Sequence, residues 1–192
     1  FDEDLILDIR LNILNKYVDY FVIVESIFNH KGEKRSLKFE LEKYKNFKEK
    51  IIYLVVDEAP KNLEKITDQD QGLTREHKFI NNAVKRENFQ RNFIKNGLEK
   101  AKNNDLILIS DVDEIPCLDD VNIQSLNAKI LIFSQLMTYY KFNLALPNFI
   151  WHGTRGCLKK NLKSHLRSRV LEDSLRVLLL LLVVHQKCLI WV

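Results

Sequence analysis

Leu106-Ile107-Leu108-Ile109-Ser110-Asp111-Val112-Asp113-Glu114-Ile115-Pro116 is the stretch on which the reading of this chain turns. Its run of apolar residues predicts a strand over residues 105–110 that is buried on both faces, as in a sheet covered by helices. Such a strand delivers Asp111 and Asp113 to the rim of its sheet. Carboxylates two positions apart in an extended turn offer oxygen ligands to a single hard cation. Neither Cys nor His accompanies them, so Mn2+ or Mg2+ suits the donor set better than zinc. A divalent ion there would bridge diphosphate oxygens and neutralise charge developing on a leaving group. Pro116 halts continuing secondary structure and stiffens the turn. Acidic residues also end strands simply as turn or cap residues. Three acids within four positions, behind a dry strand and before a proline, favour chemistry over capping.

Outward from this stretch, residues 20–25 (Tyr-Phe-Val-Ile-Val-Glu) and 51–56 read as two further buried strands. Residues 3–17 carry apolar side chains at Leu5, Ile9 and Ile13 and at Leu7, Leu11 and Leu14, which is helical spacing. A short helix is expected at 40–47, the longest one at 76–102, and polar loops at 26–37 and 61–75. Residues 130–146 form an extended, aromatic-rich stretch, either one long strand or two. This alternation predicts an α/β fold with a mostly parallel sheet flanked by helices. Ligands in such sheets gather outside the carboxyl ends of the strands. Acidic residues stand at three of those ends: Glu25, Asp57, and Asp111 with Asp113.

The long helix supplies a second clue. Ile80, Val84, Glu87, Arg91, Ile94, Leu98 and Ala101 follow alternating four- and three-residue steps, one face of a helix. Glu87 and Arg91 are thereby expected in an otherwise apolar, inward-facing stripe, where a charge must be paired or meet a ligand. They are either a simple i,i+4 pair or, with Arg86 and Asn92, the border of a nucleotide site. Lys34 and Arg35 beyond Gly32 offer phosphate contacts from a loop, although loop cations are usually only solvated. His30, His77 and His152 show no metal-ligand spacing. The segment Trp151-His152-Gly153-Thr154-Arg155 pairs an aromatic platform with polar groups, which suits a sugar ring or a base, while a Trp capping the core is the commoner outcome.

Composition sets the bounds. At 192 residues, with 46% hydrophobic and 29% charged residues, the chain matches one soluble α/β domain of ordinary size. A net charge of +4 fits a protein that handles phosphates, and without a basic tract it argues against nucleic acid. Cys117, Cys157 and Cys188 form no CxxC pair and read as small apolar residues. The chain opens at Phe1 straight into an amphipathic segment, so a preceding part is expected to be missing. All eleven Phe residues lie at or before Phe149, and the composition changes after residue 163. We therefore expect a core over 1–163 and a divergent tail over 164–192. The tail's apolar run at 177–184 is far short of the roughly 20 residues that span a bilayer. It reads as a strand, a helix turn or a reading-frame artefact.

Several segments resemble glycosyltransferase family 17, the family of β-1,4-mannosyl-glycoprotein β-1,4-N-acetylglucosaminyltransferase. They are Phe1-Asp2-Glu3-Asp4-Leu5, Asp8-Ile9-Arg10-Leu11, Val18-Asp19-Tyr20-Phe21-Val22-Ile23-Val24-Glu25-Ser26, Arg86-Glu87 with Gln90-Arg91-Asn92, Gly97-Leu98, and Ser110-Asp111-Val112-Asp113-Glu114-Ile115-Pro116. The resemblance runs in order from Phe1 to about residue 160. It implies a GT-A-like nucleotide-diphospho-sugar fold, UDP-N-acetylglucosamine as donor, a glycan acceptor, Mn2+ dependence and inversion at the anomeric carbon. Asp111 and Asp113 would form the metal motif. Glu25, Arg86, Glu87, Arg91 and Glu114 would border the nucleotide-sugar, Trp151 would meet the acceptor, and Glu3 and Arg10 would be family positions without an assigned role. An inverting transferase needs a base for the acceptor hydroxyl, and the sequence places none. The acceptor stays open between an N-glycan mannose and a bacterial polysaccharide or lipid-linked glycan. The location follows it: cytoplasmic or membrane-associated in a microbe, the Golgi lumen in a eukaryote. Two rivals stand beside this reading. One is a truncated nucleotide-sugar-binding module without catalysis. The other is a haloacid-dehalogenase-like phosphatase using Asp111 as nucleophile, for which too little chain follows Asp113.

Overall fold

A computed structural model describes residues 4–119, 121–122, 125, 128–164 and 179–184. Helix α1 (Asp4–Leu14) leads into β1 (Tyr20–Ser26), and a 3-10 helix at Leu41–Phe47 precedes β2 (Ile51–Val56). Helix α2 (Gly72–Phe93) tightens into a 3-10 turn at Ile94–Gly97 and leads to β3 (Leu106–Asp111). Strands β4 (Leu131–Tyr139) and β5 (Lys141–Leu158) follow, then a 3-10 helix at Lys159–Ser164 and β6 (Leu179–Val184). The six strands form one sheet in the order β2-β1-β6-β3-β5-β4.

The mixed α/β class stands, but the sheet is not mostly parallel. Among the described residues only β1 and β2 pair in parallel; β6 runs antiparallel to both β1 and β3, β5 to β3, and β4 to β5. Two causes are visible. The long helix connects strands that point the same way, β2 and β3, but they are not neighbours, because β6 fills the slot between β1 and β3. Beyond β3, the chain reverses at Tyr140, which takes the left-handed value φ 62°, and so tight a reversal can only join antiparallel strands.

Strand alternation divides the core into two layers. On one face, Phe21, Ile23, Leu106 and Leu108 pack with Leu7, Leu11 and Leu14 of α1 and with Phe39, Tyr44 and Phe47. On the other, Val22, Val24, Ile107, Ile109 and Cys157 pack with Phe89 and Phe93 of α2 and with Ile94, Leu98 and Ala101. The two faces are called here the α1 face and the α2 face. Of the two apolar rows on α1, the core takes Leu7, Leu11 and Leu14, while Leu5 and Ile13 face solvent. Gly97 lets its turn close on β1, since a Cβ there would collide with the Val22 side chain.

The inward stripe expected on the long helix is corrected in its first half. Ile80 and Val84 are exposed, and the buried positions are Asn82, Gln90 and Arg91. Asn82 accepts the Glu64 N–H at 2.7 Å and donates to the Glu64 carbonyl at 2.8 Å. The first half of α2 thus holds the polar loop before it, and only its end enters the core. Helical spacing fixes which residues share a face; the partner decides which face is buried.

Candidate active site

Strand β3 ends as expected at the sheet's rim, and the acidic segment after it is a tight turn. The Glu114 N–H donates to the Asp111 carbonyl at 3.2 Å, and the Asp111 N–H donates back to Glu114 Oε2 at 3.0 Å. Arg10 of α1 lies fully buried beneath this turn. Its Nη1 donates to the carbonyls of Asp111 (3.0 Å), Val112 (3.3 Å) and Glu114 (2.6 Å), and its Nη2 donates to Ser110 Oγ. Burial pulls the guanidinium down to about 10, against the field of Glu114, Asp113 and Asp111. One cation therefore shapes the whole acidic turn from behind. Strand β5 clamps the turn from the side. Thr154 Oγ1 donates to the Glu114 carbonyl at 3.1 Å, and Trp151 Nε1 donates to Glu114 Oε1 at 2.7 Å. The approach needs Gly153, because a Cβ there would lie 2.6 Å from Glu114 Cδ.

Asp111 continues the row of Ile107 and Ile109 and so points to the α2 face. Arg91 meets it there: Nη2 donates to Glu87 Oε1 at 2.7 Å and stands 3.8 Å from Asp111 Oδ1. Arg91 therefore offsets part of the Asp111 charge. Asp113, by contrast, is exposed, and it makes no hydrogen bond or ion pair with another described residue. Trp151 stacks near Phe149, with centroids 6.4 Å apart and planes at 24°. No group of three or more His, Cys, Asp or Glu able to hold a metal occurs among the described residues.

The structure thus gathers Glu87, Arg91, Asp111, Asp113, Glu114 and Trp151 around one turn. It does not bring Glu25 there. Glu25 falls on the α1 face, in the row of Phe21 and Ile23. It is 1% exposed and accepts from the N–H groups of Lys38 (3.0 Å) and Phe39 (3.1 Å) and from the Tyr53 hydroxyl (2.9 Å). Arg35 pairs with it at 3.5 Å and donates to the Ser26 carbonyl. Glu25 and Arg35 fasten the loop after β1 to the sheet. Arg86 is similarly occupied: its Nη1 donates to the His30 carbonyl at 2.9 Å, and its guanidinium fills the space that a side chain at Gly32 would take. Asn92 is exposed.

Sequence reading left Arg10 without a role, named Thr154 and Arg155 only as polar neighbours of Trp151, and overlooked Gln135, whose Oε1 accepts the Thr154 N–H at 3.0 Å. The signal for Arg10 was present. It is a cation next to Leu11 and three residues from Leu7, on the row that α1 buries, where a charge must meet acceptors.

A family description matches residues 1–174: Glycosyltransferase family 17. This chain belongs to glycosyltransferase family 17. The match runs past residue 163, where the resemblance read from the residues stops. No curated protein and no solved structure matches the chain. A glycosyltransferase takes its sugar from an activated donor and passes it to an acceptor, so the family fixes the reaction class. Among the described residues, no helix is long and apolar enough to cross a membrane.

Proposed function

We propose that this member of family 17 transfers N-acetylglucosamine from UDP-N-acetylglucosamine to a glycan hydroxyl by a metal-dependent, inverting displacement on a GT-A-like fold. The observation that carries this reading is Asp113: a solvent-facing, unpaired carboxylate on a turn whose backbone is fixed by a buried arginine. Side chains held on a rigid support suit ligands that need exact placement. The donor set fits Mn2+ or Mg2+, because such ions are commonly held by one or two carboxylates together with water and substrate phosphates. Asp113 would be the direct protein ligand, with Asp111, tethered by Arg91, as its neighbour. When bound, the ion would stabilise charge on the departing diphosphate. Trp151, oriented through its bond to Glu114, would offer its ring to a sugar. The mechanism is direct attack by the acceptor hydroxyl on the face opposite the leaving group.

A binding module without transfer is the second reading. It is favoured by Glu87 and Glu114, both engaged inside the protein, by Arg91 and by Trp151, rather than free to act as a base. The phosphatase reading, which would complete its acidic set with Asp119 and Asp120 (the latter outside the described residues), is weaker still, since Asp119 is taken up by Lys16 and Tyr17 just after α1. Release of UDP from UDP-N-acetylglucosamine, with Mn2+ and a mannose-terminated glycan, tests the proposal. Transfer that stops with chelator and falls roughly 100-fold or more in Asp113→Asn is expected. Transfer indifferent to both would remove it.

A further inference from the structure

We infer that Arg91 and Arg155 form a direct grip for the donor's diphosphate, one that works without a metal ion. The inference rests on the glycosyl-donor reading of this site and adds to it a pair of binding residues on the α2 face.

Two observations carry it. Arg91 is 3% exposed, yet its Nε and Nη1 are buried without a hydrogen-bond partner among the described residues. Its one short contact, to Glu87, uses Nη2 alone. Arg155 is half-buried with its Nε buried and unpartnered, and it forms no ion pair with any described residue. A guanidinium withdrawn from water with idle donors is costly, and buried polar groups normally find partners. Arg10 too leaves its Nε unpartnered, but both its terminal nitrogens are filled. Arg91 leaves a terminal nitrogen idle and Arg155 makes no side-chain hydrogen bond with a described residue, so these two call for an anion rich in acceptors.

Placement supports the same ligand. In the ladder, Arg155 lies opposite Ile109, and directly opposed residues share a face. Arg155 therefore stands on the α2 face, as does Asp111 with Arg91. Its neighbour Thr154 donates to the Glu114 carbonyl at 3.1 Å, which brings this stretch of β5 to the same turn. The planar guanidinium fork matches phosphate oxygens two at a time. A diphosphate offers such oxygens on two adjacent groups, so each arginine has one to meet. Asp111, 3.8 Å from Arg91, and Asp113 are carboxylates that no phosphate would contact directly, which divides the labour: arginines for anionic oxygens, acids for a cation.

Calorimetric titration with inorganic pyrophosphate, in chelator and again in Mn2+, tests the inference on the full chain. The wild type is expected to bind in chelator, and Arg155→Gln to bind roughly 10-fold or more weakly in both conditions. Arg155→Lys should lose less, because it keeps the charge. Asp113→Asn should lose the gain from Mn2+. Circular dichroism guards against misfolding, and the neutral double variant Arg91→Gln with Glu87→Gln probes the buried arginine without orphaning its partner; it too should bind weakly. Absence of metal-free binding by the wild type, or unchanged binding by Arg155→Gln, overturns the inference. If pyrophosphate binds as expected while no sugar is transferred, the functional proposal fails and the grip stands. If transfer depends on Asp113 but pyrophosphate ignores Arg155, the reverse holds.

Discussion

The two faces of the sheet carry their charges differently. On the α1 face, Arg10 donates to three carbonyls and a hydroxyl, and Glu25 accepts from two backbone N–H groups and a phenol while pairing with Arg35. Arg10 leaves only its Nε without a partner; on the α2 face Arg91 leaves Nε and Nη1, and Arg155 leaves Nε and makes no side-chain hydrogen bond, among the described residues. All are charged groups withdrawn from water, and desolvation costs each of them. Where internal partners are plentiful, the charge is scaffold. Where most donors are left over, as on Arg91 and Arg155, the proposed partner is an outside anion. The acidic turn stands between the two, held from the α1 side by Arg10 and met on the α2 side by Arg91.

The largest effect that can break this comparison is on Arg10. Arg10→Ala removes the donor shared by three buried or half-buried carbonyls, and we expect a loss on the order of 3–5 kcal/mol in urea unfolding. A variant as stable as the wild type would mean that the turn holds its shape unaided. Glu25→Gln comes next. The amide nitrogen cannot accept, so one of the Lys38, Phe39 or Tyr53 donors loses its partner, at a cost of about 2 kcal/mol. UDP affinity should stay unchanged in the folded variant; a fall in affinity would return Glu25 to the nucleotide site.

The smallest effect sharpens the same contrast through pH. Tyr53 is pushed above the ordinary tyrosine value, first by burial and then by its hydrogen bond to Glu25. The folded protein thus holds this proton more tightly than the unfolded chain. Its contribution is complete below about pH 10, the ordinary phenol value, and is lost as pH rises beyond it. The decline of the melting temperature above that pH should be shallower in Tyr53→Phe. An identical slope would show that this proton is not linked to folding.

Much of this was legible in the residues. The strand at 51–56 matches its expected limits, and those at 20–25 and 105–110 match to within a residue. Unbroken apolar runs between polar loops leave little choice, and the acidic turn follows because β3 must end somewhere. Strand direction was not legible. The reversal at Tyr140 carries no Gly, Asn or Pro; a tyrosine takes the left-handed backbone there, so the sequence left one strand or two open and did not mark the turn. The place of β6 depends on partners distant in sequence, β1 and β3, beyond any local pattern. The buried side of α2 was misjudged at Ile80 and Val84 because Asn82 binds the Glu64 backbone, a contact that spacing cannot report. Glu25 illustrates the same limit. An acid at a strand end looks alike whether it meets a ligand or the N–H groups of its own loop.

The proposed transfer depends on Asp113 being a metal-bridged contact to a sugar donor. Calorimetric titration of UDP-N-acetylglucosamine with and without Mn2+, on the wild type and on Asp113→Ala, tests that most directly. The account predicts that Mn2+ tightens donor binding in the wild type by roughly 10-fold or more and leaves Asp113→Ala at its metal-free affinity. Equal tightening in both proteins, or none in the wild type, would contradict it.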